Sequence, residues 1–198
     1  MLNFHKIALV EISQESGSGT LMIMSRGLGL EKIINSIITI YAQSSSLVLI
    51  LNNNQFESLS MKKALEEAKL LISTKDLIIN PDYFQEIDAE INAKDRASLY
   101  LKGGVLVVSS RILVVDMLNK VVPVDKIRGI IVNHAHNVSD TSPITFILRL
   151  FRQGNKVGFI RAFSDNPDYF CNDSSKLERM MKALQVRFLA LWPRFQLN

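Results

Sequence analysis

The run Arg26-Gly27-Leu28-Gly29-Leu30-Glu31 has the position and glycine spacing of a loop that wraps a phosphate. It follows an apolar run and opens a helical pattern. In a nucleotide-binding α/β fold that junction carries the phosphate loop, because backbone amides converge there on a helix N-terminus. The side chains do not complete the chemistry. Such a loop needs a lysine after its second glycine to meet the β- and γ-phosphates, then a Ser or Thr hydroxyl for magnesium, and this chain has Leu30 and Glu31 there. Glu31 repels a phosphate. Lys32 comes too late on a helix that turns about 100° per residue and is expected to point elsewhere. Gly27, Gly29, Leu30 and Glu31 therefore read as a degenerate phosphate loop or as a plain strand-to-helix turn, and no nucleotide cofactor is expected. A dinucleotide fingerprint would need a third glycine in place of Lys32.

A second constellation, Ile130-Ile131-Val132-Asn133-His134-Ala135-His136, ends a predicted buried strand. In an ATPase this slot carries an acidic pair that holds magnesium and orients the attacking water. Asn133 and His134 do neither. His134 and His136, two residues apart, are candidate metal ligands, but no third His, Cys or carboxylate is evident to complete a tetrahedral or facial site. The expectation is no metal, with the two imidazoles satisfied by backbone hydrogen bonds. Nucleophilic catalysis has no Gly-x-Ser-x-Gly elbow to support it, and Cys171 has no histidine near it in sequence. No catalytic residue is nominated.

The third constellation is charge. Residues 1–143 hold 14 Lys+Arg against 15 Asp+Glu, whereas residues 144–198 hold 9 against 4. Within the basic segment Arg149, Arg152, Lys156 and Arg161 precede Arg179, Lys182, Arg187 and Arg194. Arginines three apart on a helix can clamp backbone phosphates without reading sequence. A solvated basic face is the alternative, as is a core role for the interleaved Phe146, Phe151, Phe159 and Phe163. Arg111 is either a further DNA contact or a structural cation paired with Asp116 or Asp125.

Positioning such groups requires a scaffold, and the pattern supplies one. Short apolar runs recur at Leu21–Met24, Leu47–Leu51, Leu77–Ile79, Val105–Val108, Ile127–Val132 and Val157–Arg161, as expected of strands buried on both faces of a parallel sheet. Helical spacing runs from Met61 to Ile72 with Ser60 as expected N-cap, from about Ser142 to Gln153, and from Leu177 to Phe188. Val186–Leu191 also reads as a strand, and Ser110–Leu118 is either strand or helix. Alternation of this kind predicts right-handed βαβ units in a doubly wound α/β sheet. One domain over residues 1–198 is expected, with only the polar stretch Gln43–Ser46 resembling a spacer. A lone cysteine points to a reducing compartment, and no apolar run is long enough to cross a bilayer, so neither secretion nor membrane insertion is expected.

Several blocks in order resemble a known family. Ser25-Arg26-Gly27-Leu28-Gly29, Leu47-Val48-Leu49-Ile50-Leu51-Asn52, Gly103-Gly104-Val105, Ser109 to Asp116 and Phe146-Ile147-Leu148-Arg149-Leu150-Phe151-Arg152-Gln153 are similar to the helicase-like N-terminal region of XPF, the large subunit of a nucleotide-excision-repair endonuclease. Gly158 to Asn166 and Leu191-Trp192-Pro193-Arg194-Phe195 continue the likeness. The resemblance implies a RecA-like lobe of superfamily-two helicase type. Its phosphate loop and Asp-Glu-Ala-His box would have decayed together, Leu30 and Glu31 standing for Lys and Thr, and Asn133, His134, Ala135 and His136 for the box. It also implies a helix at Ser110–Leu118 and a strand-end loop at Ala162–Pro167. The family's metal-dependent nuclease signature and helix-hairpin-helix repeats do not occur before Asn198, so the expectation is the lobe without its nuclease: a fragment, truncated isoform or degenerate copy. Implied further are nuclear location, binding to single-strand/double-strand DNA junctions through Arg111, Arg149, Arg152, Lys156 and Arg161, and docking of repair scaffold proteins. The family's small non-catalytic subunit would bind through other regions. The face at residues 186–198, with Phe188, Leu191, Trp192 and Phe195, is expected to be exposed and apolar.

Overall fold

Apolar runs with no polar alternation demand cover on both sides, and the fold provides it. The structure, a computed structural model, describes residues 2–14, 19–42, 46–71, 81–171 and 174–194. The described elements run α1 (Asn3–Gln14), β1 (Thr20–Met24), α2 (Leu30–Tyr41), β2 (Leu47–Leu51), α3 (Gln55–Leu71), β3 (Phe84–Ile87), α4 (Ala93–Lys102), β4 (Gly104–Val108) and α5 (Ser110–Leu118). They continue through β5 (Ile127–Val132), α6 (Pro143–Gly154), β6 (Phe159–Ser164), α7 (Asp168–Cys171), α8 (Ser174–Ala183) and β7 (Phe188–Trp192). The strands form one sheet in the order β3-β4-β2-β5-β6-β1-β7, every neighbouring pair parallel.

Alternate residues of each strand feed two cores. Met22 and Met24 of β1 and Val48 and Ile50 of β2 face α1, α2 and α3, meeting Ile12, Ile33, Ile37 and Leu65. Leu21, Ile23, Leu47, Leu49 and Leu51 face α4, α5, α6 and α8, meeting Tyr100, Leu113, Phe151 and Leu184. The doubly wound sheet is thus present, and it opens its carboxyl edge, where open α/β sheets bind ligands, through the loops after β1, β5 and β6. No described helix is long and apolar enough to cross a membrane.

Local chemistry corrects several boundaries. The third helix begins at Gln55, six residues before Met61, and Ser60 lies inside it. Asn54 and Glu57 form a reciprocal capping box, the Glu57 amide donating to Asn54 Oδ1 and the Asn54 amide to Glu57 Oε2, both at 2.9 Å. The segment Ser110–Leu118, open between strand and helix, is a helix capped by Ser109. The helix from Leu177 stops at Ala183, well short of Phe188. Gln185 adopts φ 56°, while the Val186 amide reaches Met181 O and the Gln185 amide reaches Lys182 O, a Schellman termination that frees β7 to pair with β1. The strand expected at Val157–Arg161 begins at Phe159, because Asn155 Oδ1 accepts from the Val157 and Gly158 amides at 3.1 and 2.7 Å and holds them in a loop. The α6 helix starts as read, with Ser142 as cap and Pro143 in its first turn. The runs Leu77–Ile79, Gln43–Ser45, Ile72 and Phe195 lie outside the described residues.

The apolar face expected at the end of the chain is partly covered. Phe188 and Leu191 are exposed. Trp192 is not, since α1 reaches over it, with the Phe4 ring 6.3 Å away and Arg194 paired with Glu11.

Candidate functional site

The loop from Ser25 to Gly29 links the buried end of β1 to the first turn of α2. Gly27 and Gly29 take φ 82° and 78°, a left-handed backbone that any side chain would strain. The loop is pinned from below by His5 of α1: its Nε2 donates to Leu28 O at 2.6 Å while its Nδ1 accepts from the Leu2 amide at 3.3 Å. A Cβ on Gly29 would stand 3.0 Å from that imidazole. His5 has no motif around it in the sequence to mark this role.

Above the loop lies a cavity of about 580 Å³, into which Leu30, Glu31, Asn133 and His134 all face as lining residues. The loop after β1 and the loop after β5 therefore meet across one cleft. Lys32 also lines it, contrary to the expectation that it points elsewhere, because α2 begins only at Leu30 and its whole first turn borders the opening. The cleft carries three carboxylates, Glu31, Glu57 and Asp165, against two cations, Arg26 and Lys32. Glu31 in the first turn of α2 already supplies the negative charge that the helix dipole would otherwise draw from a phosphate.

The loop after β5 is held from both sides. Asn52, in a left-handed conformation with φ 60°, donates through Nδ2 to Asn133 O at 2.8 Å and to His134 O at 3.2 Å. Asn133 is 3% exposed, and its Oδ1 has no hydrogen-bond partner. His134 itself has φ 47°. Its Nε2 lies 2.6 Å from Glu57 Oε1, and Nδ1 of His136 lies 2.9 Å from Ser164 Oγ. The imidazoles are thus satisfied by side chains, not by backbone groups. Burial lowers the His136 pKa below its ordinary value, and His134 and Arg26 add to the effect while Asp165 opposes it. Asp165 lies close to both histidines, so the expectation of no third ligand nearby does not hold. No spacing rule points to Asp165, 29 residues beyond His136, whereas the Asn-x-x-Glu pattern at Asn54 and Glu57 is a capping-box signal that the choice of Ser60 as cap passes over.

The basic residues do not share one surface. Arg152 and Lys156 join Lys182 and Arg187 around a second cleft of about 550 Å³ at the amino edge of the sheet, beside Gly19. Arg152 is half-buried, donates to Gly158 O at 2.6 Å and lies over the Phe151 ring; burial, with Arg187 beside it, holds its pKa below the usual arginine value. Arg149 is exposed on α6. Arg161 is 5% exposed, with its guanidinium 4.2 Å from the Phe159 ring centre and 5.8 Å from that of Tyr41, so it is a core cation and not a surface contact. Arg111 is exposed at the start of α5, after the carboxyl end of β4, and does not pair with Asp116. That carboxylate is taken by Arg96 of α4, at 2.8 and 2.7 Å, and by Tyr100 Oη at 2.8 Å.

No protein-family model matches the chain. Among curated proteins it is 35% identical over 195 residues to "DNA repair endonuclease XPF" of Drosophila melanogaster, covering 98% of this chain and 18% of that protein. It is 35% identical over 197 residues to "DNA repair endonuclease UVH1" of Arabidopsis thaliana, covering 100% of this chain and 20% of that one. The chain thus spans about a fifth of the length of these relatives. Among solved structures it is similar to the Pyrococcus furiosus Hef helicase domain, with a TM-score of 0.74 at 13% identity over 95% of this chain and 37% of the other. That likeness shows the fold: a RecA-like α/β arrangement of helicase type.

Proposed function

Because this chain is homologous over nearly its whole length to about a fifth of the XPF-type DNA repair endonucleases, we propose that it is a single helicase-like lobe that engages DNA and docks repair proteins without using nucleotide. The observation that carries this reading is the cleft. At the carboxyl edge of the sheet, where a working helicase lobe holds phosphates and magnesium, the positions that would meet them carry Leu30, Glu31, Asn133 and His134 among the lining residues. None of them neutralises a triphosphate, and the carboxylates outnumber the cations. Its partners in this role are single-strand/double-strand DNA junctions and the repair scaffold proteins gathered at them, and its compartment is the nucleus. DNA affinity comes from exposed cations on phosphates, Lys156 and Arg187 foremost, and is therefore indifferent to base sequence.

A ligand that binds the folded state raises its melting temperature with RT ln(1 + [L]/Kd). Millimolar MgATP is expected to leave Tm where it is, and a magnesium-dependent rise of several degrees would contradict the reading. A weak DNA-dependent ATPase is the second reading, favoured by one observation, the presence of Lys32 at the cleft. Under that reading the rise appears, and Lys32→Ala abolishes it.

A further inference from the structure

His134 and His136 follow β5 and Asp165 follows β6, and one ligating atom of each lies within 4.8 Å of those of the other two. All three side chains are partly buried. Donors bound to one tetrahedral zinc ion at about 2.0–2.2 Å stand about 3.4 Å apart, so an ion would draw this cluster together by at most about 1.4 Å. The imidazoles are already oriented from behind. Nε2 of His134 is held by Glu57 Oε1 at 2.6 Å, and Nδ1 of His136 by Ser164 Oγ at 2.9 Å. Each ring has a second nitrogen, Nδ1 of His134 and Nε2 of His136, which would be its coordinating atom with those hydrogen bonds kept. A carboxylate or hydroxyl behind each imidazole is the outer arrangement that fixes metal-binding histidines. Arg26 Nε stands 3.7 Å from Asp165 Oδ2, but the Arg26 side chain is 73% exposed and that of Asp165 40%, so that solvent-screened ion pair yields readily.

We propose that His134, His136 and Asp165 form a binding site for a divalent transition-metal ion, zinc foremost, with Glu57 and Ser164 orienting the two imidazoles. Two imidazoles and one carboxylate suit zinc and disfavour magnesium, which seeks oxygen ligands in an octahedron. The fourth position is left to water. The ion ties the loop after β5 to the loop after β6 across the mouth of the cleft. This inference stands independently of the nucleotide reading, since a bare metal ion needs nothing from the phosphate loop.

The test is a titration of the metal-stripped protein, first with cobalt(II) as an optical probe and then with zinc. Expected are visible d–d bands that saturate at one equivalent of cobalt and are displaced by zinc. With zinc at a hundredfold excess over its Kd, Tm rises by about 5 °C or more. Asp165→Asn and His136→Ala each abolish the bands, and Glu57→Gln weakens zinc binding by about 10–100-fold. Asp165 sits at the solvated rim, so Asp165→Asn reports on the site even if the histidine variant fails to fold, with far-ultraviolet circular dichroism as the check. Absence of bands and of any Tm rise in excess zinc overturns the proposal. So do bands that persist undiminished in Asp165→Asn, which would place the ion elsewhere.

Discussion

Asp116→Ala is expected to lower the folding free energy by about 3–5 kcal/mol, the cost of breaking a buried ion pair from one side. Asp116 is 0% exposed. Its carboxylate receives Nε and a terminal nitrogen of Arg96 and the hydroxyl of Tyr100, so removing it strands a guanidinium of 13% side-chain exposure and a phenol of 1% residue exposure. For a chain of this size the loss corresponds to roughly 6–20 °C in Tm. If the effect arises from stranded partners rather than lost attraction, replacing Asp116, Arg96 and Tyr100 together by Leu, Met and Phe recovers most of it. Urea denaturation of the single and triple variants measures both, and equal losses in the two would refute the explanation. Tyr100 adds a pH signature. Burial, then the hydrogen bond to Asp116, raises its phenol well above the ordinary value of 10. The folded state therefore keeps a proton that the unfolded state releases, and stability is full below about pH 10 and falls as pH rises beyond it. Tyr100→Phe removes that contribution to the slope.

Gly104→Ala is expected to cost about 3 kcal/mol or more. Gly104 opens β4 at φ 100°, outside what a side chain adopts comfortably, and a Cβ there falls within contact of the Tyr83 carbonyl oxygen and 2.9 Å from Tyr83 Cβ. The obstructing atom belongs to backbone at the head of β3, so truncating the Tyr83 side chain does not relieve the clash. Thermal denaturation of Gly104→Ala with and without Tyr83→Ala, which removes the ring and keeps Cβ, checks this, and rescue by the second substitution would show that the ring was the obstacle.

What the sequence made legible follows from burial. Leu21–Met24, Leu47–Leu51 and Ile127–Val132 stand out because central strands of a parallel sheet are covered on both faces and read as unbroken apolar runs. The strand at Phe84–Ile87 does not, being four residues long at the sheet edge with Gln85 and Glu86 in its middle. The helix at Ala93–Lys102 was missed for a similar reason: among its residues only Tyr100 is buried, although Asn92 caps it. The loops at residues 26–31 and 133–136 were legible as candidate site positions by their places after β1 and β5. The groups that complete the cleft were not. Glu57 lies 77 residues from His134 and reaches it only because β2 and β5 pair, and Ser164 reaches His136 only because β6 lies beside β5. Arg161 misled in the opposite direction, since a basic residue in a basic segment gives no sign that two aromatic rings enclose it.

DNA engagement without nucleotide can be read from one anisotropy titration of a labelled splayed-arm junction across a salt series, with and without MgATP, using the chain and its Lys156→Ala/Arg187→Ala variant. Both replaced side chains are exposed at the amino-edge cleft, so the fold is not at stake. The expected result is sequence-indifferent binding that weakens steeply with salt, is unchanged by MgATP, and loses up to about two units of log–log salt slope in the variant. An affinity that changes with MgATP, or one that the variant leaves untouched in both magnitude and slope, would contradict it.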